Sequence, residues 1–290
     1  MFKVFWMKKI YVIFLGGLGN QLFQLALTKN LQKKYPNSII NILNLTENQL
    51  VKRKWDLDFM EISGRKLDKI NYFFLKIKRY LNKKLLKFGI SKNIFNIISE
   101  DQFRNFNPDK FKNKSVIFDG YWQSEKYFYE IRYSIKNKLL KYRKFIKNSH
   151  KGYETVAVHI RLGDYVDFPK SRKNHFVCDT KWYLKAIDYL ASKRKGLRFL
   201  IFTNDHDYLK ENFVFPKNID YQISPHKRDA HVDLLEMSYC KHFIISNSSF
   251  SWWASYLGED KESLVIAPKF WYPGKLTIEE PIFRPNWILL

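Results

Sequence analysis

The segment around Arg161 carries the densest set of residues that could do chemistry. His159, Arg161 and Asp164 lie within six positions, directly after the apolar residues Val156–Val158. A planar guanidinium can bind a pyrophosphate through two parallel hydrogen bonds, each worth about 1.5–3 kcal/mol. The segment therefore predicts an anion site, with an Arg161–Asp164 ion pair that closes the strand end as the structural alternative.

A second polar cluster, SNSSFSWW over 246–253, also follows an apolar run and leads into a helical pattern. Its hydroxyls, and the N–H groups at the positive end of the helix, suit a phosphate. Helix capping by Ser248 or Ser249 explains one serine, but not four serines with an asparagine. We therefore predict substrate binding by Asn247, Ser248, Ser249 and Phe250.

A glycine-rich turn, GGLGNQ over 16–21, separates an apolar run from a helical pattern. Glycine lets the backbone approach a ligand, so Gly17, Gly19 and Asn20 are candidate phosphate contacts. A dinucleotide-binding loop is the rival, but Leu22 stands where its third glycine belongs, and no ribose-binding acid is obvious about 20 positions further on. A purely structural turn remains an alternative.

Two further candidates are less specific. Asp233 can cap a helix predicted over Leu234–Lys241 or, facing a cleft, accept two N–H bonds from guanine. Tyr121, Trp122 and Gln123 offer an aromatic platform to an acceptor sugar, although an aromatic pair is more often part of the core.

The DHD triplet over 205–207 invites a manganese-dependent interpretation. One short DxD pattern arises easily by chance, and the sequence has no HExxH motif and no CxxC pair. We therefore predict no metal and no cofactor, because Arg161 and a basic cleft would balance the charge of a diphosphate.

Apolar runs and the helical patterns between them supply the elements that position these residues. The runs are Ile10–Leu15, Thr155–Ile160, Phe199–Thr203, Phe243–Ile245 and Leu264–Ala267. Helical patterns cover Asn20–Tyr35, a segment from Trp182 to near Gly196 and a segment from Ser249 to near Gly258. This alternation predicts an α/β fold with parallel strands, whose carboxyl ends carry the candidate residues.

Charge divides the chain into two parts. The formal net charge is +23, and residues 1–150 hold 31 Lys and Arg against 11 Asp and Glu, whereas residues 151–290 hold 20 against 17. With the strand that begins at Thr155, this shift predicts an N-terminal lobe over 1–150 and a C-terminal lobe over 151–290. The charge also raises a nucleic-acid-binding alternative, but no recognised motif interleaves the basic residues with exposed aromatics.

The segment Arg65–Lys92 has the pattern of an amphipathic helix. Lys and Arg fill one face, and the other holds the apolar residues Ile70, Phe73, Phe74, Ile77, Leu81, Leu85 and Phe88. One interpretation is a surface helix packed on the first lobe. The other is a helix that rests on anionic lipid headgroups, at about 1 kcal/mol per basic residue close to the surface.

The cysteine content and the apolar runs bear on location. Cys178 and Cys240 are the only cysteines, which fits a reducing cytoplasm. The first apolar run has no cleavage pattern after it, and no uninterrupted stretch of about 18 apolar residues occurs. We expect a cytoplasmic protein with peripheral contact at the inner face of the membrane.

Four stretches together resemble the α-1,2-fucosyltransferases of glycosyltransferase family 11. In chain order they are GGLGNQLFQ (16–24), GYWQS (120–124), VHIRLGDY (158–165) and SNSSFSWW (246–253). The resemblance implies a GT-B-type fold of two Rossmann-like lobes that face a cleft, inversion at the fucose anomeric carbon and no metal requirement. It also implies that His159 and Arg161 hold the nucleotide, that Asp233 recognises guanine, and that Ser248 or Ser249 meets phosphate.

One position departs from the wider superfamily. Asn20 matches the asparagine in the glycine loop of the protein O-fucosyltransferases, but their loop arginine is replaced here by Gly17. The mechanism of that branch therefore does not carry over to this chain.

The function that the resemblance implies is transfer of L-fucose from GDP-fucose to the 2-hydroxyl of a terminal galactose. The acceptor would be a surface glycan such as an O-antigen repeat on a lipid carrier, bound by the N-terminal lobe. Arg161 and His159 are the catalytic candidates at departing GDP, and Asp164, or else Asp167, is the candidate base. A manganese-dependent transferase that uses another nucleotide sugar is the alternative.

Overall fold

The chain forms two compact units, Met1–Arg132 and Tyr133–Leu290. The structure is a computed structural model that describes residues 9–48, 52–62, 64–89, 95–100, 111, 114–147, 150, 152–163, 172–173, 177–273 and 282–290. Each unit is built around a parallel β-sheet. These sheets confirm the predicted α/β class of GT-B type.

The first unit holds a four-stranded sheet in the order β2-β1-β4-β3. Its elements are β1 (Lys9–Phe14), α1 (Leu18–Lys34), β2 (Ile39–Asn44), α2 (Lys69–Lys87), β3 (Ile97–Ile98) and β4 (Ser115–Phe118). β1 pairs with β2 on one side and with β4 on the other. It is therefore a central strand, which explains its nearly continuous apolar sequence.

The helix α1 begins shortly after Gly16, whose φ of +78° turns the chain away from the direction of β1. Gly17 occupies the cap position without a side-chain cap, and Lys33 and Lys34 lie in the last turn, where positive charge suits the helix dipole. Eleven of its residues are buried, among them the polar Gln21 and Gln24. Such a helix is fixed by tertiary packing more than by an amphipathic pattern.

The second unit holds a six-stranded sheet in the order β10-β9-β8-β5-β6-β7. Its strands are β5 (Glu154–Ile160), β6 (Leu197–Thr203), β7 (Asp220–Ile223), β8 (His242–Ile244), β9 (Val265–Ala267) and β10 (Ile288–Leu289). Its helices are α3 (Arg132–Leu140, which starts at the last residue of the first unit), α4 (Thr180–Lys193), α5 (His206–Asn212), α6 (Ala230–Met237) and α7 (Ser249–Gly258). In the described part of the chain, no helix combines the length and apolar character needed to cross a membrane.

Both sheets reverse their strand order next to a strand that carries candidate residues. In the second unit the chain runs outward from β5 through β6 to β7, and then restarts on the other side of β5 with β8. In the first unit β2 and β4 flank β1 in the same way. The loops that follow the paired strands diverge at such a switch point and leave a crevice for ligands. The candidate site of each unit lies in these loops.

Residues 133–147 belong with the second unit by their contacts. The guanidinium of Arg143 donates to the side chain of Ser238 at 2.8 Å, and the hydroxyl of Tyr239 donates to the carbonyl of Arg143 at 2.8 Å. The charge shift had grouped this segment with the first lobe, since its lysines and arginines continue the basic half. The assignment of acceptor and donor roles to the two lobes stays a prediction.

Candidate active site

His159 lies buried near the carboxyl end of β5. Its Nδ1 lies 2.9 Å from the hydroxyl oxygen of Ser246, which follows β8, and its ring centre lies 5.1 Å from that of Phe250. Burial, together with the nearby charge of Arg161, lowers the pKa of His159 to about 3. The imidazole is therefore neutral near pH 7 and can orient its neighbours by hydrogen bonding, but it cannot supply positive charge.

The backbone that carries Arg161 is fixed on both sides. Its N–H donates to the hydroxyl of Tyr183 at 3.3 Å, and burial holds the pKa of that phenol well above its usual value. One residue on, the side chain of Asn204 accepts from the N–H of Leu162 at 2.8 Å and donates to its carbonyl at 3.2 Å. Arg161, itself only half-buried, thus starts from a rigid support.

The turn ends at Gly163, and two features require glycine at this position. Its φ is +58°, a left-handed value that side chains disfavour, and a Cβ there would lie 2.5 Å from Nδ2 of Asn204. Asn204 is not among the residues predicted from the sequence. The available signal was its place directly after β6, which neighbours β5 in the sheet.

The predicted bases Asp164 and Asp167 lie outside the described residues. The ion pair between Arg161 and Asp164, and the choice between the two aspartates, both stay predictions.

The serine-rich loop after β8 is mostly an internal structure. Ser248 caps α7, since its hydroxyl accepts from the N–H of Phe250 at 3.3 Å. The hydroxyl of Ser251 donates to the carbonyl of Ser246 at 3.4 Å, and the amide of Asn247 donates to the carbonyl of Trp271 at 2.9 Å. These bonds explain the polar composition of the loop without a ligand.

Ser249 differs from the other serines of the loop. It is the first residue of α7 and is partly exposed, whereas Ser246, Ser248 and Ser251 are buried. Among the predicted phosphate contacts of this loop, Ser249 is the serine best placed to meet a ligand at the positive end of the helix.

Asp233 lies within α6 and does not cap it, so the capping interpretation is wrong. The helix begins at Ala230, with Asp229 at its cap position. Oδ1 of Asp233 lies 3.2 Å from Nε of Arg228, whose Nη1 lies 2.6 Å from Oε2 of Glu236. Burial raises the pKa of Asp233 to about 6, although the positive Arg228 opposes the shift. The carboxyl therefore titrates close to neutral pH.

The triplet over 205–207 has a structural explanation. Asp205 caps α5 by accepting the N–H of Tyr208 at 3.0 Å, and His206 is buried with Nε2 2.8 Å from the carbonyl oxygen of Ser224. Asp207 is exposed on the first turn of the helix. Among the residues that the structure describes, no group of three or more His, Cys, Asp or Glu is arranged to hold a metal ion.

In the first unit, buried amides join the glycine loop to the stretch over 120–124. Gln24 accepts the N–H of Leu15 at 3.0 Å and donates to the carbonyl of Gly120 at 3.1 Å. The amide of Gln123 donates to Oδ1 of Asn20 at 2.6 Å. The two stretches, about a hundred residues apart in sequence, are therefore one site, as their strands at the switch point require.

The two glycines that open the loop have different requirements. Gly16 has a φ of +78°, and a Cβ there would collide with the side chain of Asn20. Gly17 has a φ of −81°, and a Cβ there would meet no atom within 4 Å. The backbone turn explains Gly16 but gives no reason for glycine at 17.

The predicted aromatic platform is corrected at Trp122. Its indole is fully buried and packs against the rings of Phe118 and Tyr127 at centroid distances of 5.9 Å and 5.1 Å. A buried ring offers no face to a sugar. Tyr121, in contrast, is 40% exposed and borders a cavity of about 240 Å³, whose lining includes Arg79 and the ion-paired Asp119.

Two relatives from Escherichia coli match most of this chain, and a human relative matches part of it. It is 30% identical to an alpha-1,2-colitosyltransferase of Escherichia coli over 277 residues, which cover 89% of this chain and 90% of the relative. It is 27% identical to the O-antigen biosynthesis glycosyltransferase WbnK of Escherichia coli, over 97% of this chain and 100% of the relative. Human galactoside alpha-(1,2)-fucosyltransferase 1 is 26% identical over 46% of this chain and 37% of its own length.

Among solved structures, a mutant of Arabidopsis thaliana FUT1 in complex with GDP has a similar fold. The TM-score is 0.52 at 13% sequence identity, over 90% of this chain and 70% of the other. The model of the family described as glycosyl transferase family 11 matches residues 9–290. The chain therefore belongs to glycosyl transferase family 11.

Proposed function

We propose that this chain transfers L-fucose from GDP-fucose to the 2-hydroxyl of a terminal galactose, with inversion at the fucose anomeric carbon. The observation that carries the proposal is the meeting of His159, Arg161 and the start of α7 at one switch point, between β5 and β8. That arrangement supplies one fixed cation and one positive helix end, as a nucleoside diphosphate requires.

The diphosphate of the donor would bind to Arg161 and to the first turn of α7 at Ser249. Both groups are preorganised, Arg161 by its clamped backbone and α7 by the cap at Ser248. As the bond between the fucose C1 and the phosphate oxygen breaks, negative charge grows on departing GDP. Fixed donors stabilise that charge without reorganisation, which is the task of a metal ion in other transferases.

His159 would act through position rather than charge. Its imidazole is neutral and its Nδ1 is engaged with Ser246. Because this ring is neutral, the guanidinium of Arg161 is the cation at this strand end. Contact with the tilted ring of Phe250 restrains the imidazole. We assign His159 to orientation of the nucleotide.

Asp233 would recognise the guanine base. Two neighbouring N–H groups of guanine match the two oxygens of a carboxylate. Asp233 is partly buried and retains an ionic partner in Arg228, so its ionised form is available at neutral pH. The Arabidopsis structure of similar fold was solved with GDP, which supports guanine as the nucleobase of the donor. Membership of glycosyl transferase family 11 also supports it.

The first unit would contact the donor through the glycine loop and would bind the acceptor. Because no atom lies near the Cβ position of Gly17, the donor could pack against the backbone of the loop there, next to Gly19 and Asn20. Tyr121 would stack on the acceptor galactose at the mouth of the neighbouring cavity. In the reaction the acceptor 2-oxygen bonds to C1 from the face opposite GDP, and its proton passes to Asp164 or Asp167.

One relative points to a second candidate donor. Colitose is fucose without its 3-hydroxyl, and the colitosyltransferase of Escherichia coli is similar over nearly the whole chain. GDP-colitose is therefore the second candidate donor. The two differ at one hydroxyl, and a site that hydrogen-bonds this group rejects the analogue that lacks it.

The test is transfer by the purified enzyme to a β-galactoside in excess EDTA, with GDP-fucose and GDP-colitose as separate donors. We expect GDP release and a product whose NMR spectrum shows an α-linkage at the galactose 2-oxygen. Transfer that requires Mn²⁺ and another nucleotide sugar would refute the proposal. The similarity to an O-antigen glycosyltransferase makes a lipid-linked O-antigen repeat the natural acceptor to test next.

A further inference from the structure

The helix α2 packs against the rest of the first unit through one side. Among the side chains that the structure describes, its buried and half-buried residues are Tyr72, Leu75, Arg79, Asn82 and Leu85. Leu75 joins the buried cluster that includes Ile13 and Leu43, and the guanidinium of Arg79 donates twice to the carboxylate of Asp119, at 2.6 Å and 2.9 Å. In the part of the chain that the structure describes, these contacts of α2 do not use the larger apolar residues of the helix.

Those larger residues form an apolar strip on the opposite side of the helix. At 3.6 residues per turn they share one face, and their exposed fractions lie between 39% and 76%. The apolar strip consists of Ile70, Phe73, Phe74, Ile77, Leu81 and Phe88. A run of large apolar side chains of this length on the surface marks an interaction site. The amphipathic pattern predicted from sequence is present, but it faces outward.

Charge identifies what the apolar strip meets. Residues 69–87 contain seven basic residues and no acidic one. Lys78 borders the apolar strip on one side, and Lys69, Lys76 and Lys87 border it on the other. Lys84 lies within the strip, between Leu81 and Phe88, and all five lysines are exposed. A second copy of this chain would bring the same lysines against one another, which opposes self-association through this face. Anionic headgroups complement both the lysines and the apolar strip.

We propose that α2 is a docking surface for an anionic lipid bilayer. The helix lies in the plane of the interface, with its phenylalanines among the acyl chains and its lysines against the headgroup phosphates. Seven charged residues in nineteen exclude a spanning orientation. Arg79 takes no part, because its ion pair with Asp119 holds it against the protein body. This surface is independent of the donor and acceptor proposed above.

The test is co-sedimentation of the full chain with vesicles of phosphatidylcholine, with and without phosphatidylglycerol. We expect binding to the anionic vesicles and loss of that binding in high salt. Phe73→Ser/Phe74→Ser and Lys76→Glu/Lys87→Glu should each weaken binding by at least about tenfold. Since these side chains are exposed, thermal unfolding of both variants should match that of the unmodified chain.

Matched controls lie in the second unit. Phe145→Ser/Val214→Ser removes two apolar residues that are more exposed than Phe73 and Phe74, and Lys195→Glu/Lys217→Glu makes the same change of charge. Both controls should bind vesicles as the unmodified chain does. Equal binding to neutral vesicles, equal loss in the controls or full binding by the α2 variants would overturn the proposal. So would a dimer that the α2 variants dissociate, without vesicle binding by the unmodified chain, because it would assign the face to a second copy.

Discussion

The two switch points of this molecule use polar residues in different ways. In the first unit the amides of Gln24 and Gln123 bind backbone and side chain and hold two loops together. In the second unit His159 and Asp233 are ionisable groups whose pKa values burial has moved, and Arg161 stands half-exposed on a clamped backbone.

Two motifs that are equally rich in polar residues can therefore have different roles, one structural and one in ligand binding. Both units place their motifs in loops at a reversal of strand order, so topology alone does not separate them. Their contacts separate them. The side-chain amide of Gln24 bonds backbone groups through both its oxygen and its nitrogen, so it has little capacity left to bind a ligand. We therefore expect substitutions at Gln24 and Gly16 to act mainly on stability, and substitutions at Gly17 and in the second unit to act mainly on binding and turnover.

Arg161→Ala should have the largest effect and should leave stability intact. Loss of one preorganised donor at a developing charge costs about 2.7–4 kcal/mol, or about 10²–10³-fold in kcat. Arg161→Lys should restore only part, since an ammonium lacks the planar fork. Turnover and thermal unfolding should be measured together. Turnover like that of the unmodified enzyme in either variant would remove Arg161 from the reaction.

Gln24→Leu should show the opposite pattern. It leaves the buried N–H of Leu15 and the carbonyl of Gly120 without their partner, which should lower the free energy of unfolding by about 1–3 kcal/mol. Gln32→Leu, an exposed position on the same helix, is the control and should change little. Urea unfolding of both variants measures the difference. Equal stability of the two variants would mean that the hydrogen bonds of Gln24 do not stabilise the first unit.

Gly16→Ala and Gly17→Ala separate a structural turn from a ligand contact. Alanine at 16 must adopt a positive φ and meet Asn20, so stability should fall by about 1–2 kcal/mol. Alanine at 17 fits the empty space, so stability should hold while the Michaelis constant for the donor rises. Unchanged kinetics in Gly17→Ala would mean that the loop does not approach the donor.

Asp233 predicts a pH dependence of nucleotide binding. Its carboxylate accepts guanine N–H groups only when ionised, and its pKa is raised to about 6. GDP affinity should therefore rise by about tenfold between about pH 5 and pH 7. Asp233→Asn should bind GDP more weakly at neutral pH and show a flat profile. A profile in the variant that matches the unmodified protein would remove Asp233 from nucleotide binding.

Much of the fold was predictable because central parallel strands are apolar on both faces. The runs at β1, β5 and β6 are close to the observed strands. The outward direction of α2 was not predictable, since periodicity defines a face but not its partner. The same limit explains Trp122, whose aromatic character fits the core and a sugar platform equally well until its packing is known.

The candidate site was predictable where a side chain follows a strand end. His159, Arg161 and the loop after β8 meet as parallel strand order requires. Asn204 and Gln24 escaped prediction because their role is to bind backbone groups distant in sequence. The grouping of residues 133–147 with the second unit escaped for a similar reason, since composition does not record which neighbour a helix packs against.

Calorimetric titration of GDP into the unmodified protein in excess EDTA is the decisive test of the proposed metal-free donor site. We expect that GDP binds with all divalent metal chelated, that UDP binds at least about tenfold more weakly, and that Arg161→Ala loses most of the GDP affinity. Equal affinity for UDP, or GDP binding that appears only when Mn²⁺ is restored, would contradict it.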